Sequence, residues 1–121
     1  MTRNLLFAFA LVTASIGAVD AQADGVAQND VEALKWYRMA AEQGDAKAQY
    51  NLGAMYNNGG EGVDRDYVLA HMWLNLSQVR GDEGARKYMP ILVKRMTKEQ
   101  IAEAQKMARE WKGKHQSVEG E

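Results

Sequence analysis

Gly44-Asp45 and Gly81-Asp82 lie 37 residues apart, and their surroundings fall into register at the same offset, Ala33 on Ala70, Trp36 on Trp73 and Ala48 on Ala85. A glycine followed by an aspartate is a stop and a restart. Glycine accepts the left-handed conformation that closes one helix, and aspartate caps the first amides of the next. Alanine-rich, helix-favouring segments flank Gly44-Asp45 on both sides. Such punctuation at a fixed interval describes helical hairpins laid side by side, each leaving an apolar face that only its neighbour can bury. The predicted fold class is all-α, a short αα-hairpin solenoid of about five helices behind an N-terminal leader.

Taken in order, Asn29 or Asp30 caps a first helix with Val31, Leu34, Trp36, Tyr37, Ala40 and Ala41 at three-to-four spacing, ending at Gly44. A second starts at Asp45 and carries Ala48, Leu52, Met55 and Tyr56 on one side. The run Asn57-Asn58-Gly59-Gly60-Glu61-Gly62 breaks it, and Val63 follows. Asp66 caps a third helix with the stripe Val68 or Leu69, Met72, Trp73 and Leu76. The fourth runs from Glu83 to about Met96, with Pro90 removing one amide donor. Thr97 and Gln100 form a capping box that opens a fifth, with Ile101, Ala104, Met107, Ala108 and Trp111 inward. A single proline and the lack of alternating β-branched runs leave strands without support.

Arg3 followed by the apolar run Leu5 to Val19 and the small-residue triplets ending at Ala21 and Ala23 reads as a cleavable signal peptide. The expected organisation is a signal peptide over 1–23, a mobile leader over 24–29, a helical-repeat domain over 30–113 and a disordered tail over 114–121. The expected location is periplasmic or secreted. With no cysteine, neither a disulfide framework nor a thiolate metal site is available. From Asp24 to Glu83 five basic residues face ten acidic ones, and from Gly84 to Glu121 nine face five. That asymmetry can orient a partner but is too mild for nucleic acid.

The segment AQYNLGAMYNNGGEGVDRDYVLAHMW closely resembles the Sel-one-like repeat (SLR) family, relatives of the tetratricopeptide repeats, and ALKWYRMAAEQGDAKAQ resembles the second half of a preceding unit. The matching positions are Ala48, Leu52, Gly53, Tyr56, Gly59, Gly62, Val63, Asp66, Ala70 and Trp73, with Ala33, Trp36, Ala40, Ala41, Gly44 and Ala46 before them. The resemblance covers about Asp30 to Asp82. It implies an αα superhelix that serves as an adaptor for protein partners, frequently in exported bacterial proteins. The chain departs from the pattern by an extra residue between Gly59 and Gly62, by Asp64 where proline is common, and by Asn75-Leu76-Ser77-Gln78 where an alanine pair is usual.

Candidate chemistry is thin. Trp36, Trp73 and Trp111 could make an aromatic platform, but the repeat register favours core packing. The Gly59 to Gly62 loop lacks the lysine and hydroxyl of a phosphate loop, since Val63-Asp64-Arg65 follows it. Glu61, Asp64 and Asp66 lack the ladder of a calcium loop, and a solvated turn ending in a helix cap is the better reading. His71 and His115 do not pair at metal-ligand spacing, and both are expected at the surface. No metal and no cofactor are called for. Asn75-Leu76-Ser77 matches a glycosylation sequon, but its mid-helix position makes it a chance match. Gly53, costly inside a helix, is expected to admit close approach of the first helix near Ala40 or Ala41.

What remains is a groove. On the second helix, Tyr50, Ala54 and Asn57 lie opposite Leu52, with Lys47, Asn51 and Asn58 along the flank. If the first helix of each pair lines the concave side, as the family resemblance suggests, these six residues are the binding candidates. The leading expectation is an exported scaffold for a protein or peptide partner, without catalysis. The alternatives are an envelope hydrolase using His71, or an accessory subunit held to an anionic membrane or polymer by the basic C-terminal half.

Overall fold

The computed structural model describes residues 26–120. The expected signal peptide and its cleavage positions lie outside these residues. Five helices follow in order: α1 (Val26–Glu42), α2 (Ala46–Asn58), α3 (Tyr67–Val79), α4 (Glu83–Val93) and α5 (Lys98–Gly120). Among the described residues there is no strand, and the Gly60 to Val63 turn closes in one isolated antiparallel bridge. No described helix is long and apolar enough to cross a membrane.

The two Gly-Asp turns are built alike. After α1, the Gly44 amide donates to Ala41 O and the Asp45 amide to Ala40 O; after α3, Gly81 donates to Gln78 O and Asp82 to Ser77 O. This is the paired closure that needs a left-handed residue, and Gly44 and Gly81 supply φ of 96° and 100°. Each aspartate then caps its helix, Asp45 accepting from the amides of Lys47 and Ala48 and Asp82 from that of Ala85. Asp66 caps α3 through the Leu69 amide. Thr97 and Gln100 exchange reciprocal bonds at 2.9 and 3.0 Å to start α5.

Consecutive helices pack from α1 through α4, α2 also meets α4, and α5 lies chiefly against α3. The core holds Leu52, Leu74, Leu76 and Leu92, with small residues Ala41, Ala48, Ala70 and Ala85 admitting close helix approach. Between α2 and α3 the fit is tightest at Gly53. A Cβ there would lie 2.7 Å from Leu74 Cγ and 3.1 Å from Ala70 O. The helix that crowds Gly53 is thus α3, where the sequence pointed to α1. Ser77 pins the same pair, its hydroxyl donating to Ala46 O at 2.7 Å. Buried so, the sequon ending in Ser77 is structural.

Several expectations are corrected. α1 begins at Val26, inside the stretch expected to be a mobile leader; Asp30 and Val31 on its first turns pack against the backbone at Gly60 and Gly62. α4 ends at Val93, short of Met96, because Arg95 and Met96 turn back onto Leu92 and Val93. α5 continues past Gly113 to Gly120, anchored by His115, whose ring stacks on Trp111 at 3.6 Å and lies 3.5 Å from the Glu42 carboxylate. The largest departure is Trp36. Trp73, its register mate, is 4% exposed and meets Trp111 edge-on at 6.0 Å, whereas Trp36 is 62% exposed. α5 covers Trp73, and among the described residues no helix does the same for α1.

Candidate functional site

Superposing the repeat at its 37-residue offset carries Lys47, Tyr50, Asn51 and Ala54 of α2 onto Gly84, Lys87, Tyr88 and Ile91 of α4. The structure brings the two sets together. Tyr50, Gly84, Lys87, Tyr88 and Ile91 line a shallow hollow of about 270 Å³ between α2 and α4. Tyr50 and Tyr88 meet edge to face at 6.2 Å, and the Lys47 ammonium sits 5.9 Å from the Tyr50 ring centre. Gly84 makes room for this, since a Cβ there would lie 3.0 Å from the Tyr50 ring. Ile91 leaves 52% of its surface to solvent.

The polar end of the hollow is fixed by a network. Asn57 Nδ2 donates to Asn58 Oδ1 and to the Tyr88 hydroxyl, Tyr88 donates to Asn58 Oδ1 at 3.3 Å, and Arg95 donates to Asn57 Oδ1 at 3.4 Å. Asn57 is only 2% exposed, so it orients Tyr88 and Arg95 rather than meeting solvent itself. Of the six sequence candidates, Tyr50 lines the hollow and Lys47 stands over its ring. Asn51 and Ala54 are half-buried, Asn58 is exposed beside Tyr88, and Asn57 is interior. Sequence reasoning missed Tyr88 and Ile91 and placed Lys87 only among the basic residues of the C-terminal half, although the repeat offset that aligns Trp36 with Trp73 points to all three.

His71, expected at the surface, is 4% exposed, and its Nδ1 has no partner. Burial lowers its pKa below the usual 6.5 and favours the neutral ring. A side chain so enclosed cannot meet a substrate. A second hollow, lined by Glu42, Met72, Met107, Trp111, Lys114 and His115, lies where α5 crosses α3 and the end of α1. Glu110 also stands on its wall, and three of its polar groups are engaged with one another, Trp111 Nε1 donating to Glu42 Oε1 at 3.1 Å beside the His115 contact. Among the described residues, no three histidine or carboxylate side chains gather as a metal site.

The Sel1 repeat family model matches residues 20–45 and 46–77. The second match is α2, its loop and most of α3, and the first ends at the Gly44-Asp45 turn. A chitin synthase regulator, SKT5 of Malassezia restricta, is 43% identical to this chain over 58 residues, a stretch that makes up 48% of the chain and 4% of that protein. The chain therefore spans only a small part of the curated relative it matches. No solved structure matches it. Residues 20–77 of the chain thus match two Sel1 repeats, in step with the punctuation of its hairpins.

Proposed function

We propose that this protein is an exported, non-catalytic scaffold that holds an extended segment of a partner protein on the α2 and α4 face. The observation that carries this reading is the hollow itself. Two repeats present equivalent positions side by side, and those positions hold an aromatic pair, an exposed isoleucine and lysines. Amphipathic aromatic side chains with an exposed aliphatic anchor are what peptide recognition uses. The SKT5 relative, named as a regulator of a synthase, is likewise a protein that acts on another protein. Export rests on the leader sequence, with Arg3, the Leu5 to Val19 run and the small-residue triplets.

Affinity capture from a native envelope fraction tests it, comparing the unaltered chain with Ile91→Asn. Ile91 is half in solvent, so its replacement leaves thermal unfolding nearly unchanged while capture is lost. Capture that survives the substitution contradicts the assignment of the face. N-terminal sequencing of the protein recovered from its host tests export, with a start at Gln22 or Asp24 expected. A start at Met1 contradicts cleavage.

A further inference from the structure

The charged side chains that line the hollow, overhang its ring and close its Asn57 end are basic. Lys87 lines it, Lys47 stands over the Tyr50 ring, and Arg95 is held at the Asn57 end. No carboxylate lines it. Asp82 stands at the Gly84 edge, its Oδ2 3.1 Å from where a Cβ there would lie, and accepts from the Ala85 amide as the cap of α4; Asp45 caps α2, and Glu83 pairs with Arg86 at 3.6 Å. Between the cations lie the Tyr50 and Tyr88 rings and Ile91, an apolar floor with a cationic border.

From that arrangement we infer that the hollow receives an acidic peptide segment, an apolar side chain seating on Tyr50, Tyr88 and Ile91 while flanking carboxylates meet Lys47 and Lys87. The inference rests on the docking face proposed above and adds the chemistry of its occupant. An acidic segment meets complementary potential on both sides of its anchor, whereas a basic one brings like charges together at the rim. Exposed lysines act mainly on association and salt dependence, so the preference weakens as ionic strength rises.

Three fluorescein-labelled peptides test this by anisotropy, each with a central leucine-phenylalanine pair, flanked by glutamates, lysines or serines. The glutamate peptide is expected to bind at least about tenfold more tightly than the lysine peptide at low salt. The Lys47→Glu, Lys87→Glu double variant reverses that order, and Ile91→Asn abolishes binding of both. Equal binding of all three peptides, lost in Ile91→Asn, overturns the charge inference and leaves the docking face standing. If no peptide binds while capture through Ile91 persists, the inference falls alone. If capture fails as well, both fall.

Discussion

Gly81 isolates what backbone conformation contributes at a single residue. A Cβ there would meet nothing within 4 Å, yet its φ is 100°. Gly81→Ala should therefore cost about 1–2 kcal/mol from conformation alone, read as a lower denaturation midpoint in urea at unchanged slope. Gly53 is the opposite case, helical in backbone but crowded by Leu74. Alanine gains about 1 kcal/mol of helix propensity there, and overpacking costs about 1–3 kcal/mol, so Gly53→Ala should be destabilising on balance. His71 adds a pH dependence. Its folded pKa is lowered by burial, so the unfolded chain takes up the proton more readily. The stability of the neutral ring is complete above about pH 6.5 and is lost as pH falls through the folded value. Thermal scans between pH 7.5 and 5 should show a declining midpoint, with a shallower decline in His71→Gln.

Among the elements, caps and stops were legible in the sequence because each is decided within a few residues. Gly44-Asp45, Gly81-Asp82, Asp66 and the Thr97 box all sit where local chemistry requires. Burial was not legible in the same way, because it depends on which helix comes to lie alongside. Trp36 and Trp73 share a register and differ only in neighbours, α5 covering one and no described helix the other. Trp73→Ala should cost about 3–5 kcal/mol, while Trp36→Ala stays within about 0.5 kcal/mol. Equal losses in paired unfolding curves would mean that α1 is covered in solution. The hollow was half legible for a related reason. Opposing Leu52 finds Tyr50, but its other wall stands on a different helix, reached only by carrying the offset onward to Lys87, Tyr88 and Ile91.

For the molecule as a whole, the departure of α5 from the regular stack has a functional consequence. By lying on α3 it closes the Trp73 face and leaves the hollow between α2 and α4 open on the other helices of the hairpins. On the function proposed above, this hollow is the recognition face of the scaffold, floored by aromatic and aliphatic side chains and bordered by lysines. Photo-crosslinking tests this most directly, with a benzophenone amino acid placed at Ile91 and, as a control, at the exposed Gln105 on α5. The account predicts a discrete covalent adduct with a partner protein from Ile91 and none from Gln105. Adducts of equal yield from both positions, or from Gln105 alone, would contradict it.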